Sequence, residues 1–149
     1  MGNNVEPEIV IYVCSNSISE GERLPRQWRQ DEARVSLNEI PCSGKIDIQY
    51  MMRAIEGGAA GICIVTCPQG ECSLAQGNYR AEMRLNTMRR LLSEIGLSEN
   101  RVQLIRSSRQ DRPGGIQSQL REVIARILNC VDRTSGAGRA QGAHPAART

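Results

Sequence analysis

The run of residues 60–66 constrains the fold most strongly. It reads Ala-Gly-Ile-Cys-Ile-Val-Thr, contains no charge, follows a pair of glycines and precedes a Pro-Gln-Gly-Glu turn. An apolar run of this length between such turn residues is typical of a strand covered on both faces, as in a parallel sheet. The turn is bounded by Cys67 and Cys72. We therefore expect chemistry at the end of this strand.

Strand and helix signals alternate along the chain. Hydrophobic patterns predict three further strands, at residues 8–13, 34–40 and 102–106. Apolar residues three and four apart predict helices at residues 48–55 with Asp47 as N-cap, at about 78–95, and from 116 to near 130. The segment after the first strand contains Gly and Pro, so any helix there is short and weakly specified. The order βαβαβαβα predicts an α/β fold, a parallel sheet between helical layers of flavodoxin or Rossmann type.

The length of 149 residues fits one domain with one core. We divide the chain into an N-terminal extension at residues 1–7, the α/β domain at 8–131 and a tail at 132–149. The tail is rich in Gly, Ala and Arg and has no hydrophobic periodicity, so we expect it to be disordered.

Composition argues against several classes of function. The net charge of +3 is spread over the predicted helices, and the chain has one Trp, three Tyr and no Phe, so neither a basic patch nor base-stacking residues indicate nucleic-acid binding. The single His, His144, lies in the tail, which leaves no basis for a His-containing triad or metal site. The polar, acidic N-terminus and the absence of a long apolar run predict a cytoplasmic protein without a transmembrane segment.

Cysteines follow three of the predicted strands. In a reducing compartment, six cysteines indicate metal ligands or redox groups more than disulfides. Cys14 follows the first strand, Cys42 the second, and Cys67 and Cys72 the third. Because the carboxyl ends of parallel strands meet at one edge of a sheet, we expect these four thiols to lie together.

Four thiolates suit either a tetrahedral zinc ion or an iron–sulfur cluster. Structural zinc usually uses close pairs of ligands, whereas here one Cys-x4-Cys pair is joined by two single cysteines. The Cys-x4-Cys spacing occurs in plant-type ferredoxins, so it favours a [2Fe–2S] centre while leaving zinc open. Gly44 and Gly70 would let backbone N–H groups turn toward the sulfurs.

The other cysteine patterns are less informative. Cys63, inside a strand, and Cys130, at the end of the last helix, fit packing positions. A cysteine-phosphatase loop at Cys14 would need an arginine six residues later, where Glu20 stands. A Cys-x-x-Cys redox site starting at Cys14 is excluded because Ser17 stands where the second cysteine would be.

Three motifs carry a resemblance to a known family. They are Ile-Pro-Cys-Ser-Gly-Lys-Ile-Asp at 40–47, Cys-Pro-Gln-Gly-Glu-Cys at 67–72 and Gly-Asn-Tyr-Arg-Ala-Glu-Met-Arg at 77–84. Over roughly residues 9–108 the chain resembles the small iron–sulfur (delta) subunit of methyl-viologen-reducing hydrogenases, a family also found attached to heterodisulfide reductase-type flavoproteins.

The resemblance implies a [2Fe–2S] cluster held by Cys14, Cys42, Cys67 and Cys72. It also implies a hetero-oligomer in which the chain relays electrons between a hydrogenase or dehydrogenase and a heterodisulfide reductase A-like flavin subunit, without catalysing a reaction alone. The equivalent subunit of a class II benzoyl-CoA reductase complex would have the same local role. The sequence departs from the family pattern Cys-Cys-x-x-Cys near its start, where only Cys14 remains, so Ser17 is an alternative oxygen ligand.

Two other classes stay open on sequence grounds. A zinc-stabilised interaction module would use the same thiols structurally, and a thiol oxidoreductase would need one activated cysteine with a resolving partner. The arginines of the long helix form either a docking surface or a solvated face; they are Arg80, Arg84, Arg89 and Arg90.

Overall fold

The computed structural model describes residues 6–17, 24–67, 77–107 and 115–140. The described strands are β1 (Glu8–Cys14), β2 (Gln27–Gln30), β3 (Ala33–Ile40), β4 (Ala59–Thr66) and β5 (Val102–Arg106). The described helices are α1 (Ile48–Glu56), α2 (Gly77–Glu94) and α3 (Gly115–Ala140). Short 3-10 turns occur at Ser15–Ser17, Ser43–Lys45 and Glu99–Arg101.

The strands form one sheet in the order β2-β3-β1-β4-β5. All neighbouring strands are parallel except the edge pair β2 and β3. The predicted α/β class, with a mainly parallel sheet, is therefore confirmed.

Strand β2 is absent from the sequence prediction. A two-residue turn joins it to β3, and both turn residues have positive φ, 49° at Asp31 and 65° at Glu32. Positive φ at both central positions matches the tight hairpin turns that usually carry Asn-Gly or Asp-Gly. Because Asp-Glu is not such a signal, the hairpin could not be recognised from composition. The prediction placed only a weakly specified helix between β1 and β3; a 3-10 turn opens that connection, and residues 18–23 lie outside the described chain.

Two hydrophobic layers enclose the sheet. On one face, side chains of β1, β3 and β4 pack against α3. On the other face, Ile62 and Ile64 of β4 pack with Met51 of α1 and with Leu85 and Met88 of α2. All eight residues of β4 are buried, as its uninterrupted apolar sequence predicts.

Helix ends follow the predicted signals in α1 and α2. The Asp47 carboxylate accepts a hydrogen bond from the backbone N–H of Gln49 at 3.1 Å and caps α1. Gly58 follows α1 with φ of 102°, and Gly96 follows α2 with φ of 82°, conformations that favour glycine.

Helix α3 is longer than predicted. It continues to Ala140, beyond the expected end near Cys130. Because the periodic spacing of apolar residues in the sequence stops at Val131, it could not indicate the extension. Residues 141–149 lie outside the described chain. Within the described residues, none of the helices combines the length and the apolar character needed to cross a membrane.

Candidate functional site

Three adjacent strands carry cysteines to one edge of the sheet. β1 lies between β3 and β4 and is parallel to both. Its last residue, Cys14, is opposite the last residue of β3, and Cys42 follows two positions later. β1 and β4 stay paired up to Val65, two positions before Cys67. Since neighbouring strands lie about 4.8 Å apart, these cysteines come from neighbouring positions at the carboxyl edge.

The three cysteines at this edge are buried. Cys14 and Cys42 are 2% exposed, and Cys67 is 1% exposed. Within the described ranges, no three side chains of His, Cys, Asp or Glu are arranged so that together they could hold a metal ion. Cys72, the fourth predicted ligand, lies outside those ranges. The four-cysteine ligand set therefore stays a prediction.

The turn that carries Cys42 already directs a backbone donor at sulfur. Cys42 caps the Ser43–Lys45 turn, and its Sγ accepts a hydrogen bond from the backbone N–H of Gly44 at 3.4 Å. A donor of this kind stabilises the thiolate, which is the form that binds metals. The expected role of Gly44 in turning an N–H toward sulfur is thus confirmed, whereas Gly70 lies outside the described residues.

Helix α2 fixes this turn in place. The Arg84 guanidinium donates hydrogen bonds from Nη1 to the carbonyl oxygens of Gly44 at 2.5 Å and Ile46 at 2.9 Å. A Cβ atom on Gly44 would lie 2.6 Å from the Cα of Gly77, so the two backbones touch where α2 begins. The segment that ends at this contact carries Cys72. The start of α2 at Gly77, five residues after Cys72 in the sequence, therefore lies against the Cys42 turn.

Ser43 is fully buried in the same turn, with 0% exposure. Its Oγ has no hydrogen-bond partner. Among the buried side-chain nitrogen and oxygen atoms that the structure describes, only Nε of Arg101 also lacks one. The turn contacts β1, β4 and α2. A buried hydroxyl without a partner beside Cys42 fits an occupant that offers hydrogen-bond acceptors. Together with soft thiol donors, it fits a metal–sulfur group.

Ser17 is engaged elsewhere. Its Oγ donates a 2.5 Å hydrogen bond to the carbonyl oxygen of Cys14 and closes the turn after β1. The Cys14 thiol, in contrast, makes a long contact of 3.8 Å with the carbonyl oxygen of Pro41. Which of these two residues is a ligand stays a prediction.

Cys63 and Cys130 occupy packing positions, as expected. Cys63 is 0% exposed, and burial raises the pKa of its thiol to about 12, so it stays protonated at neutral pH. The Cys130 thiol is buried in α3 and donates to the carbonyl oxygen of Ile127 at 3.0 Å.

The arginines of α2 divide into two kinds. Arg84 holds the Cys42 turn, and Arg89 donates from Nε to the carbonyl oxygen of Val102 at 3.0 Å. Partial burial lowers the pKa of Arg89, opposed by nearby acidic residues. Arg80 and Arg90 are exposed. The four arginines therefore do not all lie on a solvated face, and a docking role for the exposed pair stays a prediction.

Sequence reasoning missed the buried, unpartnered hydroxyl of Ser43 and the hydrogen bonds of Arg84 to the Cys42 turn. Both lie within motifs that carry the family resemblance, at residues 40–47 and 77–84. Their positions in those motifs are the signal that could have singled them out.

The fold and the site define a small α/β protein with cysteines gathered at the carboxyl edge of its sheet. A family model described as the delta subunit of methyl-viologen-reducing hydrogenase matches residues 9–129. The chain belongs to this family.

Individual relatives agree with the family match. The chain is 29% identical over 124 residues to the iron-sulfur subunit of an F420-non-reducing hydrogenase from Methanocaldococcus jannaschii, covering 83% of this chain and 92% of the relative. It is 30% identical over 105 residues to the corresponding protein of Archaeoglobus profundus, covering 70% of this chain and 77% of the relative.

A different kind of relative matches over a shorter segment. The A-type subunit of a ferredoxin:CoB-CoM heterodisulfide reductase from Methanosarcina mazei is 31% identical over 64 residues, which make up 43% of this chain and 8% of that protein. Part of the present sequence is thus similar to a small part of a heterodisulfide reductase.

Proposed function

We propose that this protein is an electron-transfer subunit of an oxidoreductase complex, with a [2Fe–2S] cluster on Cys14, Cys42, Cys67 and Cys72. The observation that carries the proposal is the approach of three buried cysteines to one sheet edge from β1, β3 and β4. The names of the relatives, which call them iron-sulfur subunits, support an iron–sulfur cofactor. The Cys-x4-Cys spacing of Cys67 and Cys72 supports the two-iron form.

The residues of the site suit this role. When bound, the cluster would supply one-electron oxidation and reduction. Thiolates hold such a group, burial limits its contact with water, and the Gly44 N–H group donates to the Cys42 sulfur. Hydrogen bonds to sulfur raise the reduction potential of a cluster, so this turn favours the reduced state.

We further propose a hetero-oligomer with a hydrogenase or dehydrogenase subunit and a heterodisulfide reductase A-like flavoprotein. The hydrogenase names of the full-length relatives support the first partner. Similarity to a segment of the A-type heterodisulfide reductase chain supports the second partner, because a segment like this chain is there part of the same polypeptide as the reductase subunit. Relay to a class II benzoyl-CoA reductase would use the same site with a different final acceptor.

Metal and sulfide analysis tests the cofactor. Protein purified anaerobically, or reconstituted with iron and sulfide, should contain equal amounts of iron and acid-labile sulfide and absorb visible light. A Cys42→Ala variant should lose both, while Cys130→Ala should retain them. Stoichiometric zinc in a colourless protein would instead identify the zinc-stabilised interaction module.

Isolation of the native complex tests the partners. The chain should copurify with a hydrogenase or dehydrogenase subunit and with a flavin-containing protein, which peptide mass spectrometry can identify. A chain that is isolated alone under mild anaerobic conditions would contradict the relay role.

A further inference from the structure

We propose that Ser43 is part of the cluster site and that its hydroxyl donates a hydrogen bond to a cluster sulfur. This inference rests on the proposed function and adds a residue that holds no metal itself. The observation behind it is an unsatisfied polar group: within the described chain, the Oγ atom of Ser43 is buried and has no hydrogen-bond partner. Removing a hydroxyl from water without giving it a partner is unfavourable, so such groups call for an explanation.

The other buried serines that the structure describes at this edge have partners. Ser17 donates to the carbonyl oxygen of Cys14, and Ser107 donates to the carbonyl oxygen of Thr66 at 2.8 Å. Arg101, which carries the other unpartnered buried atom in the described chain, lies just before β5 at the opposite end of the sheet. Among the described residues, the unsatisfied donor at the carboxyl edge is therefore Ser43, which directly follows the predicted ligand Cys42.

The turn that carries this donor packs against the strands that end at two of the predicted ligands. The Ser43–Lys45 turn contacts β1 and β4, whose carboxyl ends carry Cys14 and Cys67. It also contacts α2, to which Arg84 and the Gly44–Gly77 backbone contact fasten it. Ser43 is 0% exposed in this turn. The turn of Ser43 therefore lies next to the two strands whose carboxyl ends carry Cys14 and Cys67.

A serine hydroxyl can donate one hydrogen bond, and the predicted occupant of this edge offers sulfur acceptors. Thiolate and inorganic sulfide are anionic acceptors, and their negative charge grows when a cluster takes up an electron. A hydroxyl donor therefore stabilises the reduced form more than the oxidised form and raises the midpoint potential. With the Gly44 N–H group, the turn would supply two consecutive donors to sulfur.

A Ser43→Ala variant tests the proposal in the reconstituted full-length chain. It removes the hydroxyl and leaves the rest of the turn in place. The variant should bind as much iron and sulfide as wild type and have a more negative midpoint potential in an EPR-monitored redox titration. Resonance Raman spectroscopy gives a second readout: exchange into D₂O should shift the iron–sulfur stretching bands of wild type more than those of the variant.

Ser107→Ala is the matched control, since it also removes a buried hydroxyl at this edge. Because that hydroxyl already donates to Thr66, its loss should destabilise the protein and leave the midpoint potential unchanged. The metal-free Ser43→Ala protein should melt no lower than metal-free wild type, because no hydrogen bond is lost.

The possible outcomes separate the two claims. If wild type forms a cluster and Ser43→Ala shows the same potential and the same D₂O shift, the role of Ser43 is wrong and the proposed function stands. If wild type forms no cluster, the proposed function and the role of Ser43 both fall.

Discussion

The guanidinium group of Arg84 donates a 2.5 Å hydrogen bond to the carbonyl oxygen of Gly44. These residues are 40 positions apart in the sequence. The bond joins α2 to the turn that presents Cys42, and a second bond from the same nitrogen to Ile46 reinforces it. The geometry of the candidate site thus depends on a side chain that is not itself a predicted ligand.

Replacing Arg84 should loosen the Cys42 turn. Arg84→Met keeps much of the apolar stem and removes both charge-assisted hydrogen bonds, which should destabilise the protein by about 2 kcal/mol. Thermal unfolding measures that change, and iron content after reconstitution should fall with it. Arg80→Met, at an exposed position of the same helix, should change neither quantity. Equal effects of the two substitutions would contradict the positioning role.

Gly44→Ala should disrupt the packing of the Cys42 turn against α2 by changing the turn itself. The new Cβ atom would lie 2.6 Å from the Cα of Gly77, a backbone atom that moves only if the start of α2 moves. We expect lower thermal stability together with loss of cluster binding. Gly96→Ala is the control: it strains a residue with φ of 82° but meets no atom within 4 Å. It should cost about 1 kcal/mol and leave cluster binding intact. Normal iron content in Gly44→Ala would refute the close-contact explanation.

The fourth ligand can be assigned by comparing two variants. Cys14→Ala should abolish cluster assembly, because it removes a buried thiol at the end of β1. Ser17→Ala should keep the cluster and lose about 1 kcal/mol of stability, since its hydroxyl donates to the carbonyl oxygen of Cys14. Iron and sulfide content after reconstitution distinguishes them. The reverse result would assign Ser17 as the ligand.

Cys63 should behave as a core residue with a pH-dependent effect on stability. Its thiol pKa is about 12 in the folded protein and 9.0 in the reference state. Below pH 9 the thiol is protonated in both states. As pH rises from about 9 toward 12, the unfolded chain loses this proton more readily, so the free energy of unfolding falls. Urea unfolding of metal-free Cys63→Ala should show a shallower decrease over this range than wild type. Identical slopes would contradict the assignment.

Alkylation gives a check on the same residue near neutral pH. Iodoacetamide should modify Cys63 only after denaturation, because the buried thiol lacks both exposure and thiolate character. Rapid labelling of Cys63 in the folded protein, located by peptide mass spectrometry, would be inconsistent with its position in the core.

The sequence predicted those parts of the fold whose signals are local. The continuous apolar run of β4, the Asp47 cap and the glycines after α1 and α2 each indicated an element that the structure contains. β2 was missed because Asp31 and Glu32 adopt a turn that other residues usually form. The extension of α3 was missed because the periodic spacing of apolar residues in the sequence ends at Val131.

For the site, strand order explains which residues could be predicted from the sequence and which could not. Cysteines that follow parallel strands can be predicted to share an edge, and three of them do. The hydrogen bonds of Arg84 and the proposed role of Ser43 depend instead on contacts between the Cys42 turn and other parts of the fold. Such contacts join distant parts of the chain and leave no periodic or spacing signal. The contribution of Cys72 stays a prediction, since it lies outside the described residues.

EPR spectroscopy of the reduced, reconstituted protein tests the central claim most directly. A [2Fe–2S] cluster on the cysteines of the sheet edge should give a rhombic signal from one unpaired electron per chain. Cys42→Ala should lose this signal, and Cys130→Ala should keep it. A reduced wild-type protein that contains zinc, lacks iron and gives no signal would contradict the account.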